Sequence, residues 1–64
     1  MESRLLTGHE VARKLNISKS FAFLLMKRGA IHTVRLGRLV RVRQEDLEEF
    51  IEQSIEKKPL LMLK

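Results

Sequence analysis

The chain has 64 residues, 44% hydrophobic and 33% charged, with 13 Lys+Arg against 8 Asp+Glu, a formal charge of +5 and a pI near 10.3. That length supports one domain at the lower edge of what folds unaided and leaves little room for an enzyme pocket, while the composition is too apolar for a disordered tail. There is no Cys, hence no disulfide framework and no thiolate zinc site, so a small core must hold itself together.

Leu6-Thr7-Gly8-His9-Glu10-Val11 opens a first helix. With Thr7 as N-cap, Glu10 falls at N3 and completes a capping box, and Leu6 and Val11 take the two places of a hydrophobic staple. The helix is predicted over about 8–15, with Val11, Ala12 and Leu15 inward at helical spacing. Asn16 tolerates the left-handed conformation that ends a helix, Ile17 can fold back as its apolar companion, and Ser18 caps a second helix. This second helix is predicted over about 19–28, with Lys27 and Arg28 in its last turn and Gly29 as its stop. Two short helices joined by a tight turn make a helix-turn-helix. Because Ala22, Leu25 and Met26 fill the inward positions, one aromatic among Phe21, Phe23 and Leu24 is expected to be buried and at least one of the other two exposed.

The period then changes from helical to alternating, and a β-hairpin wing is predicted over about 32–43. A two-residue Gly37-Arg38 turn would put Arg41 on the same face as Val34 and Leu36. A three-residue Gly37-Arg38-Leu39 loop instead pairs Leu36 with Val40 and Val34 with Val42, giving one apolar face and one bearing Arg35, Arg41 and Arg43, with Arg38 at the tip. The second register is expected. A third helix follows over about 44–57, with Leu47, Phe50, Ile51 and Ile55 inward, Glu45 and Asp46 at its positive end, and Pro59 ending it. Residues 59–64 form an apolar tail. The run Leu60 to Leu63 is too short to span a bilayer, and Met1 to Arg4 offers no apolar stretch of signal length, so a cytoplasmic location is expected.

Charge is unevenly spread. Up to Arg43 there are ten Lys/Arg against two Glu, and beyond it three Lys against six Asp/Glu. A basic body of this kind calls for a polyanion, because each cation set against a phosphate releases condensed counterions.

Leu5-Leu6-Thr7, Glu10-Val11-Ala12, Leu15-Asn16-Ile17-Ser18, Gly29, Val34-Arg35-Leu36-Gly37-Arg38, Val40-Arg41-Val42 and Leu47-Glu48-Glu49-Phe50-Ile51, in that order and spacing, resemble the excisionase family. These are small winged helix-turn-helix proteins related to MerR-type DNA-binding domains. The resemblance spans about Leu5 to Ile55 and implies a single mainly α domain with a small β-hairpin. It also implies an excisionase, or recombination directionality factor: a protein that binds double-stranded DNA, bends it and directs an integrase toward excision of a mobile element or prophage. The same module serves small phage and plasmid transcriptional regulators. In such a fold the second helix enters the major groove, which assigns Ser18, Lys19, Ser20 and Phe23 to the recognition surface, with Lys27 and Arg28 better placed for the DNA backbone. The wing then brings Arg38 to a minor groove and Arg35, Arg41 and Arg43 to phosphates. Where family members often carry Thr, Tyr and a polar or basic residue, this chain has Phe21, Phe23 and Leu24. Such a face can touch a thymine methyl but cannot donate to guanine, so readout should lean on shape.

No catalytic residue, cofactor, metal or small-molecule substrate is expected. His9-Glu10 starts like the zincin motif H-E-x-x-H, but Arg13 holds the second His position, His32 stands alone, and the hydroxyls have no His-and-acid companions. The third helix carries like-charged i,i+4 pairs at 45/49, 48/52 and 52/56, each costing about 0.2–0.5 kcal/mol. Its face of Glu48, Glu49 and Glu52 is either simply solvated or meets the basic wing of a neighbouring copy, head to tail along DNA. Likewise Leu60, Leu61, Met62 and Leu63 either strap a small core or dock a partner such as an integrase. A reading of another class makes Phe23, Leu24 and the tail the contact surface of a protein-interaction module.

Overall fold

Two reciprocal hydrogen bonds set where the chain first turns helical. The Glu10 amide donates to Thr7 Oγ1 at 3.1 Å and the Thr7 amide donates to Glu10 Oε1 at 2.9 Å, the expected capping box of α1 (Gly8–Leu15). The helix ends through Asn16 at φ 58°, with the Ile17 amide donating to the Ala12 carbonyl at 3.0 Å and the Asn16 amide to that of Arg13 at 3.2 Å, the paired bonds of a Schellman end. Ser18 Oγ accepts from the Phe21 amide at 3.1 Å and starts α2 (Lys19–Lys27), one residue shorter than expected. It closes on Gly29 at φ 82°, where the Ala30 amide donates to the Leu25 carbonyl at 3.0 Å. The computed structural model describes residues 4–56; the apolar tail lies outside them.

The sheet departs from expectation in two ways. Three antiparallel strands are present rather than two, in the order β1 (Leu5–Leu6), β3 (Leu39–Arg43), β2 (Val34–Leu36). A two-residue strand carries no alternation to read, and its partner lies far along the chain: Leu5 pairs with Arg43 and Leu6 with Val42. The hairpin register is the other correction. Leu36 pairs with Leu39, Arg35 with Val40 and Val34 with Arg41, so the turn is the two-residue Gly37-Arg38 and Leu39 is the first residue of β3. Gly37 at φ 64° is followed by Arg38 without a positive φ, the pattern of a type II′ turn, whose twist matches that of the strands it joins. Val40 and Val42 keep the inward face, and Leu36 and Leu39 end up paired and exposed at the wing end.

The core comprises Leu6, Val11, Ala12, Ala22, Met26, Ile31, Val42 and Leu47, with Leu15, Ile17, Leu25, Val40 and Phe50 packed around it. Neither aromatic of α2 is buried, against expectation: Phe21 is 48% exposed and Phe23 45%. Ile31, just past the Gly29 stop, is buried in the core they leave vacant. The last helix, α3 (Gln44–Ser54), stops short of the predicted end at 57. Ser54 Oγ donates back to the Phe50 carbonyl at 2.7 Å and Ile55 is extended. Its contacts with the rest of the fold are made chiefly at β3, so Leu47 is buried while Ile51 and Ile55, expected inward, stay exposed. The result is a winged helix-turn-helix: two helices in a tight corner, a three-stranded sheet, and a third helix leaving the end of β3.

Candidate nucleic-acid interface

Ala22 and Met26, one helical turn apart, anchor α2 to the core. Helical spacing then turns Ser20, Leu24 and Arg28 to the opposite side, with Phe21 on one shoulder, Lys27 and Phe23 on the other, and Lys19 beyond Phe23 toward α1. Of the six residues assigned to recognition, Ser20, Lys27 and Arg28 are displayed about Leu24, which is 39% exposed, while Phe23 and Lys19 are exposed on the side toward α1. Ser18 is exposed but already uses its hydroxyl to cap the helix.

Phe23 is held in place on that surface. Its ring occupies the space over Gly8, where an added Cβ would lie 2.5 Å from Phe23 Cζ. It also meets the His9 ring edge to face, with centroids 5.8 Å apart and planes at 84°. On its far side Phe23 lines a groove with Met26, Lys27, Thr33, Arg35 and Val40, so α2 and the wing form two walls of one depression. Gly8 was legible only as a helix residue; its service to Phe23 depends on how two helices cross.

The wing arginines fall into four settings instead of sharing one face. Arg35 pairs with Val40 and points to the α2 side, because the two-residue turn reverses its orientation relative to the expected register. Arg38 is exposed in the turn at the tip. Arg41 alternates to the other face, its guanidinium donating to the Val40 carbonyl at 3.0 Å. Arg43 shares that face but is already engaged: its Nε and Nη2 donate to Asp46 Oδ2 at 2.7 Å and Oδ1 at 3.1 Å, and Glu45 lies 3.6 Å from Nη1. Arg43, expected with Arg35 and Arg41 to reach a phosphate, is thus held by carboxylates instead. Bonded through both oxygens, Asp46 is only 7% exposed, and Arg43 holds its carboxyl below the usual range while Asp46 raises Arg43. The i,i+3 spacing of Arg43 and Asp46 across a helix start was the available signal for this pair.

Acids elsewhere are also accounted for. The Thr7 backbone amide, with Arg4 at 3.5 Å beside it, lowers the Glu10 pKa, so the His9-Glu10 pair serves a cap and an aromatic contact. His32, expected to stand alone, has a ring nitrogen within 4.8 Å of carboxylate oxygens of Asp46 and Glu49. Asp46 gives both oxygens to Arg43, so its carboxylate is already engaged and the trio is not an open ligand set. On α3, exposed Glu48 accepts from Gln44 Nε2 at 3.1 Å and Glu49 from Gln53 Nε2 at 3.3 Å, with Glu52 one turn on and also exposed. Leu60, Leu61, Met62 and Leu63 lie outside the described residues. No helix among the described residues is long and apolar enough to cross a membrane.

Ion pairs among the described residues engage Arg4 and Arg43 and leave Arg13 and Lys14 of α1, and Lys19, Lys27, Arg28, Arg35, Arg38 and Arg41 of α2 and the wing, without a carboxylate partner. A family model described as a helix-turn-helix domain matches residues 5–54. No curated protein and no solved structure matches the chain.

Proposed function

Because the chain belongs to the helix-turn-helix domain family of DNA-binding modules, we propose that it is a sequence-preferring duplex-DNA-binding protein without catalytic activity. One observation carries this reading: Lys27 of α2 and Arg35 of the wing line one depression, Lys19, Arg28 and Arg38 are exposed on the same two elements, and none of the five has an acidic partner among the described residues. Leaving such cations unpaired costs self-repulsion that a bound phosphate backbone relieves. Lys27 and Arg35, on the two walls, suit a strand passing between them; Arg38 suits a minor groove. A salt titration on random duplex tests the reading. A steep fall of log K with log salt is expected, and no binding at low salt refutes it.

Within that class the role proposed is an excisionase that bends DNA near an attachment site and steers an integrase, acting in the cytoplasm at the nucleoid. The resemblance of Leu5 to Ile55 to the excisionase family supports it, while the order of capping box, turn, Gly stop and Arg-flanked hairpin supports the fold and DNA binding that it shares with plain regulators. A plain regulator would bind its site without changing recombination, which an integrase-dependent excision assay run with and without the protein distinguishes. Head-to-tail assembly is part of the proposal: the exposed Glu48, Glu49 and Glu52 of one copy meet Arg41 of the next. Reversing the three acids to Lys should abolish cooperative binding, and unchanged isotherms would sink the idea.

A further inference from the structure

The exposed half of α2 mixes apolar and basic side chains: Leu24 stands between Ser20 and Arg28, with Phe21 on one shoulder and Lys27 and Phe23 on the other. Phe21, Phe23 and Leu24 are all well exposed although α2 already fills its core positions with Ala22 and Met26. Exposed apolar side chains grouped beside unpaired cations mark a surface that something covers. The cations Lys19, Lys27, Arg28 and Arg35 select a polyanion as that partner, which is the DNA-binding reading on which this inference rests.

Of the three apolar groups, Phe23 alone has its pose fixed from several sides. The ring rests on Gly8, meets the His9 ring in a T-shaped contact, and lines the groove beside Lys27 and Arg35. A rigid ring loses little conformational entropy when a ligand covers it, and so binds selectively what it fits. The base edges of a major groove offer a ring few matches. Every guanine, cytosine and adenine edge presents donors or acceptors, which an aromatic would desolvate without pairing. The sole apolar group there is a methyl on pyrimidine C5.

We propose that Phe23 is the specificity-determining residue of α2 and reads pyrimidine C5-methyl groups, those of thymine or of 5-methylcytosine. Leu24 extends the same apolar surface, and Lys27 and Arg35 set its distance from the backbone.

The test uses the full chain and short random-sequence duplexes in two matched pairs, thymine against uracil and 5-methylcytosine against cytosine, followed by fluorescence anisotropy at one salt concentration. Seating one methyl gives about a fourfold preference for the methylated member, equivalent to about 0.8 kcal/mol. A preference in one pair alone supports the proposal and identifies which pyrimidine is the source. In Phe23→Ala the preference falls to near unity while phosphate-driven binding remains; Phe23→Leu keeps part of it and Phe21→Ala keeps all of it, with circular dichroism confirming each fold. Equal affinity within both pairs, from a protein that binds every duplex, overturns methyl reading and leaves DNA binding standing. No binding to any duplex overturns the DNA reading itself. A preference that survives in both folded Phe23 variants overturns the role given to Phe23.

Discussion

Replacing Gly8 with Ala separates the stability of α1 from the pose of Phe23. The new Cβ would lie 2.5 Å from Phe23 Cζ and 3.2 Å from Cδ1, so the ring must move. What stands in the way is the far end of a side chain that is 45% exposed, and it can swing aside without a backbone shift. Leaving forfeits the edge-to-face contact with His9, worth about 0.5–1.5 kcal/mol for aromatic pairs and near the lower end where both rings stay wet. In return, Ala gains up to about 0.8–1.0 kcal/mol over Gly in a helix interior and less at the first helical position, where Gly8 sits. Because Gly8 does not adopt a positive φ, no strain is added. These contributions cancel to within about 0.5 kcal/mol. Urea denaturation should therefore give a midpoint close to wild type, while discrimination between thymine and uracil duplexes collapses. In a Phe23→Ala background the same substitution should stabilise by a few tenths of a kcal/mol, since its obstacle is gone. Full methyl discrimination in Gly8→Ala, or a loss of several kcal/mol, would refute the reasoning.

Gly37→Ala meets no atom within 4 Å, so its cost is backbone strain alone, about 1–2 kcal/mol at φ 64°, readable as a lowered thermal midpoint. With Arg41 given to the neighbouring copy, the five other unpaired cations of α2 and the wing, Lys19, Lys27, Arg28, Arg35 and Arg38, predict a salt slope of about −4.5 for duplex binding when each meets one phosphate. Arg35→Ala or Arg38→Ala should each flatten it by about 1, whereas Arg43→Ala should lower stability and leave the slope alone. Acid should unfold the protein by a predictable route. The Arg43 bond depresses the Asp46 pKa and the Thr7 amide depresses that of Glu10, so each stabilises above its unfolded pKa of about 4 and loses that contribution as pH falls through its folded value. Denaturation midpoints should drop below about pH 4, and Asp46→Asn should flatten the drop.

Where a structural decision is made by neighbours in sequence, it was legible in the residues. Thr7 with Glu10, Asn16 with Ile17, Ser18, and Gly29 fix both helices of the corner to within one residue, because each cap closes its bonds inside five positions. Decisions made across the chain were not. β1 exists because Leu6 finds Val42, and α3 leaves Ile51 and Ile55 uncovered because the sheet reaches only its first turns. Burial of an aromatic on α2 was expected from its apolar count, yet the core took Ile31 from the following loop instead.

The hairpin shows why such a miss matters for function. Counting apolar residues favoured a three-residue loop that puts every valine on one face and every strand arginine on the other. The turn prevailed over the pattern: with Gly37 alone at positive φ, a two-residue link whose twist matches the strands is available, and Leu36 and Leu39 accept exposure as its consequence. A one-position slip moves every side chain of one strand to the other face. Here it carries Arg35 from the outer surface of the wing to the wall facing Lys27 and Phe23, and leaves Arg41 and Arg43 behind. Arg43 then closes on Asp46 and ties the end of the sheet to the start of α3. The wing is thereby divided into an arginine that shares the recognition groove, one at the tip, one on the outer face and one that braces the fold. Four substitutions of one residue type in one hairpin should have four different effects.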